Sequence, residues 1–339
     1  MSDFEKRLVR ALQPARQYFL AQTIDFGLCS GLFEALAAEP GTALDDVAGR
    51  LDMDPDRLAG LLRYLAGEDI VLHPETSPTL TQRGLEILEF RPWYELLPGG
   101  YSRTLQELPT VMRDAGAYAG RDGTMVGKGS CGISHHDAIP LIRRLLNHLS
   151  TPSTTLVDLG CGDGTFLMDL CESEQRGIGI DPFEPSIRAA TKRASALGIA
   201  DRVRFEVGGA EDFVHEPDGS APCFIAAFSL QEVLEQQGRN AVVQLVSRLL
   251  AAEGAHMAVV EVDRRPLDPE VIGHGLGLTY YNPYYLLHQV TEQRLETTAF
   301  WHEVFAEAGA EIVAELTTDP EVDSTGLELG FLLRAAEDE

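Results

Sequence analysis

Near the amino terminus, apolar residues recur at three- and four-residue steps: Leu8, Leu12, Phe19, Leu20, Ile24, Leu28, Leu32, Phe33 and Leu36. That period predicts helices with one apolar face, interrupted at Pro14 and Gly31. So much apolar surface so early suits helices buried on one side or exchanged between subunits. Two shorter helical patterns follow, Thr42 to Arg50 and Pro55 to Leu65. Asp54 is a suitable N-cap for the second, and Pro55 falls at the first helical position, where its missing N–H costs nothing. Ile70-Val71-Leu72, the turn-rich run from His73 to Pro78, and Leu80-Thr81 then predict a small hairpin.

From about residue 153 the pattern changes. Thr155 to Leu159, Gly177 to Asp181, Val203 to Val207, Phe224 to Phe228 and His256 to Glu261 read as short apolar strands separated by helical stretches. Glu311 to Leu316 and Leu327 to Leu333 resemble a closing hairpin. Strands alternating with helices predict an α/β fold with a doubly wound, mostly parallel sheet, and ligands at the carboxyl ends of its strands.

The charge narrows the functional classes. The 339 residues carry 27 Lys and Arg against 53 Asp and Glu, a net charge of −26. Helix, turn, helix and hairpin at 42–81 outline a winged helix, yet residues 41–90 hold ten acidic side chains and four arginines. A duplex-binding module needs the opposite field, so no nucleic-acid partner is expected. No apolar run reaches the ~20 residues of a membrane span. The first twenty residues lack the apolar core of a signal peptide. Five cysteines without a CxxC pair argue against a disulfide framework. A cytoplasmic protein is expected.

The most informative stretch is Leu156-Val157-Asp158-Leu159-Gly160-Cys161-Gly162-Asp163-Gly164-Thr165, which leaves a strand and opens a helix. Its glycines let a ligand approach the backbone. Asp181, 21 positions beyond Gly160, ends the next strand where a carboxylate meets ribose hydroxyls. A dinucleotide fingerprint wants a third glycine where Thr165 stands, and Asp158 and Asp163 would repel a pyrophosphate. A sulfonium ligand with an ammonium group would be attracted. The arrangement resembles motif I of the class I S-adenosylmethionine-dependent methyltransferases, with another nucleotide-binding α/β sheet as the alternative. The resemblance implies a Rossmann-like sheet. It assigns cofactor contacts to Asp158, Gly160, Gly162, Asp163, Asp181 and Pro182, and to Phe228 and Ser229 after the fourth strand. Glu211 or Asp212 would meet the adenine amine, although Gly209 stands where many relatives have Asp.

A helical, winged-helix segment before such a sheet resembles small-molecule O-methyltransferases that work as interlocked homodimers. This implies a dimerisation and lid domain over 1–110, linker helices and a substrate loop over 111–152, and a catalytic domain over 153–339. In those relatives a histidine after the fourth strand is the base toward a hydroxyl. Gln231 stands there instead, and an amide accepts no proton at useful pH. Gly120-Arg121-Asp122-Gly123, Gly127 to Cys131, Ile133 to Asp137 and Tyr281 to His288 are closer to the 2-oxo acid C-methyltransferases, in particular the 2-ketoarginine (5-guanidino-2-oxopentanoate) type. The resemblance implies methylation of the β-carbon, C3, of a 2-oxo acid, in the making of unusual amino acids for antibiotics. O-methylation is the runner-up, and a cofactor-sensing regulator on DNA is a third reading.

C3 methylation requires loss of a proton α to a ketone and stabilisation of the enolate. Arg121 is the candidate for the substrate carboxylate, its alternative being a surface pair with Asp122. A 2-oxo acid also chelates divalent metals. His288 and Glu232 could therefore ligate Fe or Zn with Gln231 adding an amide oxygen, or His288 could serve as base and Glu232 as a structural acid. His135 and His136 are alternative bases or loop histidines ahead of the helix near Asp137. His302, beside the Trp301–Phe305 stripe, reads as structural. Tyr280, Tyr281, Tyr284 and Tyr285 in one loop either wall the substrate or pack against the partner subunit.

Overall fold

The amino-terminal period closes into one long helix, α1 (Asp3–Cys29), whose start is capped by the Ser2 side chain accepting from the Glu5 N–H at 3.2 Å. In this computed structural model, which describes residues 1–151, 153–210, 213, 221–265 and 268–337, Pro14 lies inside α1 without ending it. The expected interruption there is corrected. Arg10 and Pro14 are both exposed, so water can satisfy the carbonyl that proline leaves without its helical donor. The break comes at Gly31, in the left-handed region at φ 76°.

The chain forms two compact units: Met1–Ser102 with Asp122–Ser130, and Arg103–Arg121 with Cys131–Glu339. In the first, α1 is followed by α2 (Leu32–Ala38), α3 (Leu44–Arg50), α4 (Pro55–Gly67), β1 (Val71–Leu72), β2 (Thr79–Leu80), α5 (Gln82–Glu89) and α6 (Arg91–Tyr94). Asp54 caps α4 by accepting from the Arg57 N–H at 2.9 Å. The two short strands pair antiparallel, Val71 opposite Leu80. Leu28, Leu32, Phe33 and Leu36 pack with Leu58, Leu62, Leu65 and Ile70 into one core. Phe4, Leu8, Leu12 and Phe19 on α1 stay exposed.

The helices α7 (Gly100–Val111) and α8 (Gly123–Ser134) carry the chain between units. The second unit continues with α9 (Ala138–Leu146), β3 (Thr155–Leu159), α10 (Thr165–Leu170), β4 (Arg176–Asp181), α11 (Glu184–Ala196), β5 (Val203–Val207) and β6 (Pro222–Ala227). Then come α12 (Leu230–Gln237), α13 (Arg239–Leu250), β7 (His256–Val262), α14 (Pro269–Ile272), α15 (Asn282–Val290), α16 (Thr298–Glu307), β8 (Ala310–Thr317) and β9 (Glu328–Ala335). Among the described residues, seven strands lie in the order β5-β4-β3-β6-β7-β9-β8. Only β9 runs against its neighbours. This is a Rossmann-like sheet. β3 and most of β6 and β7 are buried, as parallel strands with helices on both faces must be, which is why they read as unbroken apolar runs. One face packs on Leu230, Leu245, Trp301 and Phe305, the other on Leu141, Leu145 and Leu167. His302 bonds Glu315 at 2.8 Å, a structural role.

The strand order reverses between β3 and β6, so the crevice beyond their carboxyl ends is where a ligand can enter.

Candidate active site

The turn after β3 is built for close approach. The N–H groups of Gly160 and Cys161 both donate to the Ile180 carbonyl, at 2.8 and 2.9 Å. Gly160 sits at φ 82°, and a Cβ there would lie 3.1 Å from the Ser229 Cβ on the facing loop. Gly164 has φ 78°, and its Cβ would fall 2.6 Å from the Phe205 ring. Only glycine fits either position. Asp181 holds the turn from β4: Oδ2 accepts from the Gly162 N–H at 3.0 Å and Oδ1 from the Phe183 N–H at 2.8 Å. Pro182, between them, is exposed. Asp163 is committed to the start of α10, its Oδ1 accepting from the Thr165 N–H and hydroxyl at 3.1 and 2.6 Å. Arg193 lies 3.7 Å from its other oxygen.

Across the crevice, the loop after β6 is strained. Phe228 adopts φ 57°, uncommon for a residue with a side chain, and its N–H donates to the Val260 carbonyl at 2.8 Å. That bend aims the chain into α12. The first turn of α12 is held from below by Glu261, wholly buried in β7, whose Oε1 accepts from the Gln231 N–H at 3.2 Å. Burial raises the Glu261 carboxyl to about 8. Gln231 donates Nε2–H to the Phe228 carbonyl at 3.2 Å, leaving Oε1 buried without a partner among the described residues. The Ser229 hydroxyl is likewise buried and unpartnered.

One residue further on, Glu232 collects two long-range partners. Arg121 donates Nη2–H to its Oε1 at 2.7 Å, and Gln293 donates Nε2–H to the same oxygen at 3.2 Å. Asp122, the alternative partner expected for Arg121, accepts instead from the Thr124 and Met125 N–H groups. His288, on α15, is buried, its ring 3.8 Å centre to centre from Tyr284. Its Nδ1 meets the Tyr284 carbonyl at 2.9 Å, so Nδ1 carries the proton and Nε2 keeps its lone pair. Nε2 is buried without a partner among the described residues. Burial, with the Arg121 charge adding to it, pushes the imidazole down to about 3, so it is neutral at any working pH.

The other candidates fall elsewhere. His135 pairs with Asp169 at 2.9 Å, and Asp137 caps α9 by accepting from the Ala138 N–H at 2.5 Å. His136 is exposed at the turn before that cap. The four tyrosines are helical rather than in a loop, and two hydroxyls are spent internally: Tyr281 on Asp323 at 2.6 Å and Tyr285 on the Asp263 carbonyl at 2.7 Å. Glu211 and Asp212 lie outside the described residues. Sequence reasoning missed Glu261 and Gln293. A lone carboxylate inside the apolar run of β7 was a signal for the first; nothing local marks the second.

A family described as "Methyltransferase domain" matches residues 156–254, the stretch from β3 to just past α13. Over 98% of both chains, this sequence is 50% identical to a protein from Streptomyces arginensis called 2-ketoarginine methyltransferase. The chain belongs to the class I S-adenosylmethionine-dependent methyltransferases. A fungal methyltransferase, ungE' of Aspergillus campestris, is 22% identical over 82% of the chain and 84% of its own length. Among solved structures, human N-acetylserotonin methyltransferase in complex with S-adenosylmethionine matches with a TM-score of 0.66, 16% identity and 99% coverage of both chains. Mitomycin 7-O-methyltransferase matches with 0.66, 16% and 98% of both. At that identity these two speak to the fold.

S-adenosylmethionine is the methyltransferase cofactor, and the residues around the switch point fit it. Asp158 is buried with Oδ2 unpartnered, and burial with the neighbouring Asp181 charge raises its carboxyl to about 7. A buried, orphaned acid of this kind is relieved by a cationic ligand, which the ammonium and sulfonium groups supply. A metal fits less well. Among the described residues no three His, Cys, Asp or Glu side chains gather as a metal group. Glu232 Oε1 is already engaged by Arg121 and Gln293, while His288 keeps Nε2 open. The third donor of the expected set, Gln231, offers only an amide oxygen, a poor ligand for Fe or Zn.

Proposed function

We propose that this enzyme methylates C3 of a 2-oxo acid with a cationic side chain, 5-guanidino-2-oxopentanoate. The observation that carries the reading is a neutral, buried imidazole with a free Nε2, His288, electrostatically coupled to the Arg121 that pairs with Glu232. The relationship to 2-ketoarginine methyltransferase across nearly the whole chain supports the substrate class. O-methylation finds less support, because Gln231 at the base position of the O-methyltransferases cannot take a proton.

In this reading Arg121 receives the substrate carboxylate with its planar fork while keeping hold of Glu232. A carboxylate placed on Arg121 opposes the Arg121 charge, which adds to the effect of burial in depressing His288, and so shifts the imidazole upward toward a working base. His288 Nε2 then takes the C3 proton, and the C–H pair becomes the enolate. Gln231 and Ser229 orient the reacting group beside the glycine turn, and Asp158 and Asp181 hold the cofactor. S-adenosylmethionine, when bound, would supply an electrophilic methyl for the enolate carbon, the products being S-adenosylhomocysteine and a 3-methyl-2-oxo acid.

The amino-terminal unit is read as a winged-helix dimerisation domain. Helices α3 and α4 with the β1–β2 pair support the first part, and the exposed Phe4, Leu8, Leu12 and Phe19 on α1 the second. The five free cysteines suit a cytoplasmic enzyme. Proton abstraction can be tested apart from methyl transfer. In D₂O with S-adenosylhomocysteine bound, wild type should exchange the C3 hydrogens of its 2-oxo acid faster than buffer. His288→Ala should exchange them at the buffer rate. Full exchange by a folded His288→Ala protein would remove His288 from the chemistry.

A further inference from the structure

The second unit holds a cavity of about 470 Å³ that nothing above has used. His288 forms part of its wall, and Glu235, near the far end of α12, another part. We propose that this cavity takes the side chain of the substrate and that Glu235 is the residue that reads its guanidinium group. The inference rests on the function proposed above.

Three observations carry it. The first is continuity: the cavity begins at the histidine read as the base, whose Nε2 is buried and unpartnered. The second is length. Glu235 follows Glu232 by three residues, so the two lie on one face of α12, about 4.5 Å apart along the axis. Arg121, on Glu232, marks the carboxylate end of the substrate. In 5-guanidino-2-oxopentanoate the guanidinium carbon is six bonds from the carboxylate carbon, about 7.5 Å when extended. A chain of that reach can extend from Arg121 to Glu235, whose helix position lies within one turn of Glu232.

The third is chemistry. Glu235 accepts the Tyr118 hydroxyl on Oε1, which sets its carboxylate beside an aromatic ring in the same wall. A carboxylate beside a ring is the pairing a planar guanidinium prefers, bonding one and stacking on the other. Met112, Leu286 and Leu295 offer apolar contact to the methylenes between. Among the charged residues that line the cavity Glu235 is left as the anchor; Glu292, which also acts on Tyr118, is exposed and outside the lining. Arg294 is spent on Glu296 at 2.8 Å, Asp114 Oδ1 on the Gly116 N–H at 3.0 Å, and Arg264 is exposed, where water and salt screen it.

The test compares two substrates of the same shape: 5-guanidino-2-oxopentanoate and its neutral isostere, 5-ureido-2-oxopentanoate. The readout is the ratio of their kcat/KM values, measured with S-adenosylmethionine in wild type and in Glu235→Gln. The ratio should favour the guanidino acid in wild type and fall about five- to fiftyfold in the variant, the range for a charged hydrogen bond at a partly exposed site. Turnover of the ureido acid reports whether the variant is folded. If Glu235→Gln does not fold, Glu235→Asp, which draws the charge back by one methylene, should lower the ratio in the same direction. An unchanged ratio, with wild type active on the guanidino acid, overturns the role of Glu235 and leaves the proposed function standing. Wild type inert on both acids overturns the function and this inference together.

Discussion

Replacing Asp158 with asparagine isolates one buried charge. The carboxyl stands at about 7 because it is desolvated and faces Asp181, and its Oδ2 has no partner. Below that pH the ligand-free protein holds a neutral acid, which a cationic ligand must first deprotonate. If the bound ligand restores an ordinary value near 4, affinity should fall about tenfold from pH 8 to pH 6, and close to a hundredfold by pH 5. The sign is fixed by linkage: the free state binds the extra proton, so binding strengthens as pH rises through 7 and then levels off. Titration calorimetry with S-adenosylhomocysteine at half-unit steps of pH measures this. Asp158→Asn should bind more weakly at pH 8 and lose most of the slope. Asp181, whose carboxyl is also raised by burial, leaves a residual slope in the variant. Identical slopes in wild type and Asp158→Asn would refute the reasoning.

Two further outcomes follow from the same geometry. Asp181→Ala removes the acceptor of both the Gly162 and Phe183 N–H groups as well as the ribose contact, so cofactor affinity should drop roughly ten- to a hundredfold by calorimetry; unchanged affinity in a folded variant would sink the ribose assignment. The enzyme should be a homodimer by light scattering across a concentration series, and a monomer mass throughout would remove α1 as its interface.

What the sequence reveals depends on how local the cause is. The central parallel strands were legible because burial on both faces forces unbroken apolar runs, and Thr155–Leu159 reads directly as β3; at the sheet edge β5 shows instead as the alternating apolar and charged residues of Val203–Val207. The glycine turn was legible because positive φ admits little but glycine. Pro14 misled because a proline breaks a helix only where its lost bond goes unsatisfied, and α1 is exposed there. The charge partners were not legible at all. Arg121 and Glu232 are 111 residues apart, and Glu232 and Gln293 are 61 apart. No spacing rule reaches that far; the fold alone brings them together. Asp122, the near neighbour of Arg121, was the obvious partner by sequence and spends its side chain on its own helix start.

The central claim is that the methyl goes to carbon, at C3 of a 2-oxo acid. The direct measurement is the reaction of 5-guanidino-2-oxopentanoate with S-adenosylmethionine carrying a ¹³C methyl group, followed by carbon and proton spectroscopy of the product. The account predicts a product one methyl heavier, its labelled carbon bonded to a C3 that keeps a single hydrogen. A labelled methyl on oxygen or on a guanidine nitrogen, or an acid returned unmethylated by active enzyme, would contradict it.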